Sequence, residues 1–295
     1  MNGLVISLQG GLYKVKYNNS FYFCKGRGNL RYKNTSPVVG DYVKITILDK
    51  EKDTGVIESI EERKNYMTRP NVANVDNAII VSSIHEPYLN DYIIDKMLML
   101  VEYKGINPIL VFTKMDLIEK TKKEEVLEKI EMYQKIGYEV YLVDNSTSGG
   151  VKEFSSALSK NSISVITGQT GVGKTTIINN INANLDLNTG ETSKSLGRGK
   201  HTTRHSEMHE LLPDVFIIDT PGFSSFLSEG INLDNINYIT RDFKQYINKC
   251  KFNNCMHINE PGCYIKQMIE EGSFYKRRYT NYLKIVNEIK ENERK

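Results

Sequence analysis

The stretch GQTGVGKT, residues 168–175, has the residue types and spacing that could hold phosphate groups. Its glycines let backbone N–H groups converge on phosphate oxygens, and a helix starting here would add positive potential. The Lys174 ammonium would reach the β- and γ-phosphates of a nucleotide, and the Thr175 hydroxyl would bind Mg²⁺. The candidate phosphate-binding residues are Gly168, Gln169, Thr170, Gly171, Val172, Gly173, Lys174, Thr175 and Thr176.

A second motif, TKMD (113–116), has the form that many GTPases use to recognise guanine. It directly follows the apolar run ILVF (109–112). The Asp116 carboxylate would accept the N1 and N2 protons of the base, whereas adenine would leave it unmatched. The Lys114 stem would lie along the purine, with Thr113 and Met115 completing the loop. Unusually, TKMD precedes the phosphate loop instead of following it.

The strand-like run VFII leads into the sequence DTPG, about fifty residues after the phosphate loop. Asp219 at the end of a strand could hold Mg²⁺ through water, and the Gly222 N–H could meet a γ-phosphate. A glutamine that orients the attacking water often follows such a motif. Phe223 stands there instead, so another group, or a partner, must position the water.

Between these motifs lies GRGKHTTRHSEMHEL, residues 197–211, which we interpret as a mobile switch loop. Thr202 or Thr203 could give a second hydroxyl to Mg²⁺, and we assign Thr202. His201 and His205 are the polar candidates for positioning water. A second base-contacting loop would fall at VDNSTSGG (143–150), where Asn145 and Ser146 match poorly.

Three cysteines and a histidine have the spacing Cys250-x4-Cys255-x-His257-x5-Cys263. In a reducing compartment such a cluster is typical of a metal site rather than of disulfides. Three thiolates and one imidazole make a closed tetrahedral Zn²⁺ site, which is structural because no ligand position is left open.

The chain that must position these residues has 295 residues, 39% of them hydrophobic and 25% charged. No apolar run reaches the ~18 residues of a membrane span. The N-terminus lacks a basic region followed by a long apolar stretch, so we expect no signal peptide and a cytoplasmic protein.

The predicted organisation has three parts. Residues 1–66 contain about five short strands with turn signals, which suits a small OB-fold barrel. Residues 67–226 alternate apolar strands with helices, typical of a doubly wound α/β domain. Residues 227–295 are mostly helical around the Cys/His insert. In a parallel sheet the binding loops share one edge, so a chain cut and rejoined elsewhere, a circular permutation, keeps the site intact.

Basic residues concentrate at both ends of the chain: residues 1–66 and 231–295 each carry a net charge of +4. The stretch FYFCKGRGNLRYK interleaves aromatic and basic residues without an acid, as RNA-binding barrels do. A hairpin with solvated charges explains the pattern about equally well. The RNA-binding candidates are Lys25, Arg27, Arg31 and Lys33.

Taken together, these segments resemble the circularly permuted GTPases dependent on the small ribosomal subunit, and nearly the whole chain is covered. The resemblance rests on the motif order: GDYV, ERKNYMTRPNVANVD, TKMDL, GQTGVGKTTIIN, RGKHTTRH, DTPGF and the CxxxxCxHxxxxxC knuckle. One departure is Thr113, where the family more often has Asn; the second base loop departs more.

The resemblance implies a function in late maturation of the small ribosomal subunit. GTP would be hydrolysed slowly alone and faster on the subunit, and hydrolysis would release the factor. The barrel and the zinc domain would grip ribosomal RNA, and His201 would be the catalytic residue. We expect a monomer that uses GTP or GDP, Mg²⁺ and one structural Zn²⁺, with no membrane partner.

Two other classes of function stay open at this point. An ATP-using P-loop enzyme, such as a kinase, would also need the phosphate loop, but Asp116 argues for guanine. A passive RNA-binding module with a vestigial nucleotide fold is the third class. The intact Lys174, Thr175 and Asp219 argue against it.

Overall fold

A computed structural model describes most of the chain, namely residues 2–28, 36–144, 147, 149–185, 187, 207–219 and 230–293. Within these residues no helix combines the length and the apolar character that crossing a bilayer requires.

The first strands form a closed five-stranded barrel in the order β1-β2-β3-β5-β4. β3 and β5 are parallel, and the other neighbouring pairs are antiparallel. Alternate residues point inward and fill the barrel with apolar side chains, among them Val15, Tyr22 and Ile57. The predicted barrel is therefore present. Its strands are β1 Asn2–Gln9, β2 Leu12–Tyr17, β3 Ser20–Gly26, β4 Tyr42–Asp49 and β5 Thr54–Ile60.

A short hairpin that the sequence did not predict, β6 Tyr66–Thr68 and β7 Asn71–Ala73, follows the barrel. Next to it, the fully buried Asp41 accepts hydrogen bonds from Arg63 Nε at 2.7 Å and Nη2 at 2.8 Å. The Asn74 amide donates to the Gly40 carbonyl at 2.9 Å. These bonds fasten the barrel to the segment that leads into the next sheet.

The described central residues form a six-stranded sheet in the order β10-β9-β8-β11-β13-β12. All neighbours are parallel except β12, which is antiparallel to β13. From β8 the chain continues to β9 and β10 on one side of the sheet, and from β11 it continues to β12 and β13 on the other, so the strand order reverses between β8 and β11. Ligands bind at the carboxyl ends of strands at such a reversal. The strands are β8 Asn77–Ser83, β9 Asn107–Thr113, β10 Glu139–Val143, β11 Ser162–Thr167, β12 Met208–Leu212 and β13 Val215–Asp219.

Helices cover both faces of this sheet, as predicted for a doubly wound fold. The helices α1 Asp91–Tyr103 and α2 Lys123–Ile136 share one apolar core with β1 of the barrel. The helices α3 Val151–Ala157 and α4 Lys174–Ile181 pack on the opposite face. Because both faces are covered, the inner parallel strands β8, β9, β11 and β13 are buried over most of their length, whereas β10 at the edge is partly exposed.

The predicted C-terminal boundary of the switch loop is wrong. The predicted switch loop extended to residue 211, but residues from Met208 onward form the edge strand β12. Met208 and Leu211 are both buried, but they are three residues apart and pack into the cores on opposite faces of the sheet. The pairing with β13 is irregular between Glu210 and Leu212, so β12 lacks the two-residue alternation that would have predicted it.

The C-terminal region holds the short helices α5 Ile236–Ile239 and α6 Arg241–Lys244, then α7 Tyr264–Glu270 and the long α8 Lys276–Glu293. They surround a third apolar core, to which Met99 and Leu100 of α1 also belong. The predicted mostly helical end with a Cys/His insert is therefore present, and it packs directly against the central sheet's first helix.

Candidate nucleotide site and metal centre

The phosphate loop connects β11 to α4, as its sequence predicted. Gly168, Gly171 and Gly173 have φ values of 147°, 81° and 93°, which favour glycine. A β-carbon at Gly168 would lie 2.2 Å from the Val81 carbonyl oxygen, so the loop requires a glycine there. Thr175 and Thr176 lie in the first turn of α4, beside the end that attracts anions.

Lys174 folds back over this loop. Its ammonium donates hydrogen bonds to the carbonyls of Gly168 at 2.9 Å and Gln169 at 3.0 Å. Burial lowers the pKa of Lys174, and the Asp219 carboxylate partly opposes this. Lys174 therefore lies within electrostatic reach of Asp219.

Asp219 ends β13, and its register partner on β11 is Ile166, two residues before the phosphate loop. Asp219 thus ends one strand, and Thr175 lies in the helix that follows the adjacent strand, at the same edge of the sheet. Hard oxygen ligands of this kind fit Mg²⁺, which keeps several waters and binds few protein groups. Thr175 and Asp219 would hold the ion, and its charge would neutralise bound phosphates.

The base loop is joined to the phosphate loop by a buried hydrogen bond. The Thr113 hydroxyl donates to the Val172 carbonyl at 2.6 Å, and Thr113 is fully buried. Lys114 has φ 60°, and a single 3-10 turn, Met115–Leu117, follows it. Asp116 is exposed at this turn. The structure thus brings together the two motifs that are more than fifty residues apart.

A third loop, residues 84–90 between β8 and α1, contacts both the base loop and the phosphate loop. The sequence did not predict that this loop belongs to the site. The Ile84 amide donates to the Thr113 carbonyl at 3.2 Å. Lys114 Nζ donates to the carbonyls of His85, at 3.0 Å, and Glu86. Pro87 Cδ lies 3.9 Å from the point where a Gly171 β-carbon would be. On the side of the 84–90 loop these contacts are made by a backbone amide, two backbone carbonyls and one proline ring, so no pattern of side chains reveals them.

The predicted metal ligands converge on one point. The Sγ atoms of Cys250, Cys255 and Cys263 lie 3.5, 3.5 and 3.4 Å from His257 Nδ1. Tetrahedral Zn²⁺ with its usual bond lengths would put S and N about 3.6 Å apart. All four ligand atoms lie within 4.8 Å of one another. The donor set and the geometry therefore fit Zn²⁺ bound through Nδ1.

The backbone around this cluster is held by Glu260. Its carboxylate accepts hydrogen bonds from the amides of Met256 and Ile258 at 2.8 Å and of Asn259 at 3.0 Å. Burial raises the pKa of the Cys255 thiol to about 12, so a bound metal must displace its proton. The three hydrogen bonds of Glu260 hold the turn that carries His257.

Of the four RNA-binding candidates, two lie within the described residues and two lie outside them. Lys25 and Arg27 are exposed, and Arg27 forms an ion pair with Glu58. Arg31 and Lys33 lie outside the described residues. Of the interleaved aromatics, Tyr22 is in the barrel core, whereas Phe21 and Phe23 are 40% and 48% exposed. Strand alternation explains this split.

Several other predicted residues also lie outside the described part of the chain, so their roles stay predictions. They are Asn145, Ser146, His201, Thr202, Thr203, His205, Gly222 and Phe223.

Comparison with known proteins gives matches over nearly the whole chain. The RsgA GTPase profile matches residues 60–229, and the RsgA N-terminal domain profile matches residues 2–57. Two relatives are named small ribosomal subunit biogenesis GTPase RsgA. The one from Alkaliphilus metalliredigens is 38% identical over 99% of both chains. The one from Geobacillus kaustophilus is 39% identical over 98% of this chain and 97% of its own.

Two solved structures share the fold. YjeQ from Thermotoga maritima has a TM-score of 0.82 at 33% identity and covers 98% of both chains. YloQ, described as a circularly permuted GTPase, has a TM-score of 0.80 at 32% identity, over 99% of this chain and 95% of its own. The barrel, the sheet order and the loop order define the fold of a circularly permuted P-loop GTPase with a C-terminal Cys₃His cluster. This chain belongs to the RsgA GTPase family.

Proposed function

We propose that the protein binds the small ribosomal subunit and hydrolyses GTP during late maturation of that subunit. The subunit stimulates hydrolysis, and hydrolysis releases the factor. The names of the relatives support the partner, and the joined phosphate and base loops support the nucleotide. This partner places the protein in the cytoplasm, where it acts as a monomer.

The observation that carries the nucleotide assignment is the 2.6 Å bond between the Thr113 hydroxyl and the Val172 carbonyl. It fixes the distance between the loop that reads the base and the loop that holds the phosphates. One guanine nucleotide can then meet Asp116 and Lys174 at once. A P-loop enzyme that uses ATP has no need of this joint or of Asp116.

In the proposed site, the backbone N–H groups of the phosphate loop and the N-terminus of α4 hold the phosphates. Lys174 leaves its carbonyl partners and pairs with the β- and γ-phosphates. Gly222 meets the γ-phosphate, and Thr202 joins Thr175 and Asp219 around Mg²⁺. His201 positions the attacking water, because Phe223 cannot do so.

Two surfaces fit RNA. On the outer face of β2 and β3, Lys14 is the register partner of Phe23, and its Nζ lies 4.6 Å from the Phe21 ring centroid. Lys25 continues this face. Exposed aromatic rings stack on unpaired bases, and the lysines meet phosphates. We propose this face, with Lys25, as the barrel's RNA contact.

The second surface borders the metal cluster. The rings of Tyr246 and Tyr264 lie 5.7 Å apart, and Lys249 Nζ is 5.9 and 5.6 Å from their centroids. Lys251 Nζ lies 5.7 Å from the Phe252 ring, which is 41% exposed. Zn²⁺ at the cluster would keep this surface folded and would take no part in the reaction.

We also propose that the chain divides functionally as its sequence predicted, into residues 1–66, 67–226 and 227–295. The barrel and the C-terminal part bind RNA, and the central part binds the nucleotide.

Nucleotide competition tests the assignment. Labelled GDP bound to the protein should be displaced by GTP and GDP but not by an equal concentration of ATP. The variant Asp116→Asn should lose the preference for guanine. Because its phosphate loop is unchanged, it should keep its affinity for inorganic phosphate chains. Equal displacement of GDP by ATP in the unaltered protein would favour the ATP-using class of enzyme.

A further inference from the structure

Helix α1 belongs to two hydrophobic cores at once. Ile94, Leu98 and Val101 pack into the core beneath the central sheet. Met99 and Leu100, on another face of the helix, pack into the core of the C-terminal region. Movement of the C-terminal region relative to the sheet would therefore disturb α1.

A buried ionic network fixes this contact. Arg278 of α8 donates to both carboxylate oxygens of Asp242, from Nε at 3.0 Å and from Nη2 at 2.8 Å. Its Nη1 donates to Asp95 of α1. Asp95 also accepts from the Asn281 amide at 2.7 Å and the Tyr133 hydroxyl at 2.8 Å. The Arg278 guanidinium thus binds the carboxylates of two other helices, α6 and α1.

All three charged groups of this network are out of solvent. Arg278 and Asp242 are each 3% exposed, and Asp95 is 4% exposed. Without Arg278, two carboxylates would face each other in the interior without a counter-charge. Such a site is relieved by protonation or by movement that admits water. Asp95 reaches water only if α1 or α8 shifts.

Further polar contacts run along α1 toward the same C-terminal region. They are Arg277 to Asp91 at 3.4 Å, Tyr92 to Glu288 at 2.5 Å, Lys96 to Glu288 at 2.7 Å and Arg241 to Glu102 at 3.0 Å. The network around Arg278 is the buried centre of this interface, and the others lie nearer its edge.

The N-terminal end of α1 leads directly to the base loop. Asn90 caps the helix by accepting from the Ile93 amide at 3.3 Å. Just before this cap, the carbonyls of His85 and Glu86 hold Lys114 of the base loop. The position of α1 therefore sets the position of these carbonyls, and these carbonyls set the direction of the Lys114 side chain.

We propose that Arg278 is a positioning residue for guanine recognition. It fixes α1 against the C-terminal region, and α1 in turn fixes the 84–90 loop that orients Lys114. This inference rests on the proposed guanine nucleotide site. Its consequence is that the C-terminal region, which carries the metal cluster and an RNA-binding surface, is linked to the base-reading half of the nucleotide site.

The test compares the affinities for GDP and ADP of the full-length protein with those of Arg278→Met. Misplacement of the base loop should weaken GDP binding about fivefold or more, the lower range of linked binding sites, and leave ADP binding unchanged. General destabilisation would weaken both nucleotides together. Arg278→Lys, which keeps the charge, should fall between. Lys276→Met, at an exposed position of the same helix, is the matched control and should bind as the unaltered protein does.

The outcomes separate this inference from the proposed function. An unaltered protein without preference for GDP over ADP would remove the proposed function itself. A preference for GDP over ADP that is undiminished in Arg278→Met would overturn only the role of Arg278.

Hydrogen exchange of the unaltered protein gives a second test, which decides the question if Arg278→Met does not fold. Because linkage is reciprocal, GDP should slow amide exchange in α1 and in α8, far from the phosphates. Protection confined to residues 113–117 and 168–175 would overturn the proposal.

Discussion

Replacing Thr113 by Val removes one hydroxyl from the joint between the base loop and the phosphate loop. Val has nearly the volume of Thr, so the buried site keeps its packing and loses mainly the 2.6 Å hydrogen bond to the Val172 carbonyl. Leaving a buried acceptor without its donor costs about 1–3 kcal/mol. We expect much of this cost to appear in nucleotide binding, because a bound guanine nucleotide needs both loops in register.

At about 1.4 kcal/mol for each factor of ten, this cost corresponds to a GDP affinity about 5- to 150-fold weaker. Titration with a fluorescent GDP analogue measures it directly, and a melting curve checks that Thr113→Val is folded. Thr113→Ser keeps the hydroxyl and should retain most of the affinity. Unchanged affinity in Thr113→Val, or an equal loss in Thr113→Ser, would refute the role of this bond.

Three further predictions concern the base, the metal and the water. Asp116→Asn should bind xanthine nucleotides better than guanine nucleotides, because the amide donates where the carboxylate accepts; a retained preference for guanine in competition would contradict it. Cys255→Ser should lose the one metal ion per chain that elemental analysis should find in the unaltered protein, whereas Cys24→Ser, in the barrel core, should keep it. A fully loaded Cys255→Ser would rule out this ligand set. His201→Ala should bind GTP normally and lose most subunit-stimulated turnover, by about 10²-fold or more if it positions the water; normal stimulated turnover would remove His201 from the mechanism.

Much of the fold follows from the sequence because its signals are local. The apolar runs at 109–112 and 163–167 lie within strands β9 and β11, and the predicted phosphate loop joins β11 to α4. The cysteine and histidine spacing predicted a cluster whose ligand atoms do converge. In each case the pattern depends on residues close together in the chain.

The parts that the sequence did not reveal depend on contacts between distant segments. Asp95, Asp242 and Arg278 each look like ordinary surface charges of helices, and only the packed structure shows that they are buried together. The 84–90 loop acts through backbone carbonyls, which any residue carries. Strand β12 is stabilised by its pairing with β13, not by a strong pattern of its own.

The central claim, that this protein is a GTPase which works on the small ribosomal subunit, is tested most directly by GTP turnover with and without purified small subunits. We expect slow turnover alone and a clear rise that saturates as subunits are added, with no rise for Lys174→Ala. Turnover that stays flat across the titration would contradict the account and would favour a passive RNA-binding protein.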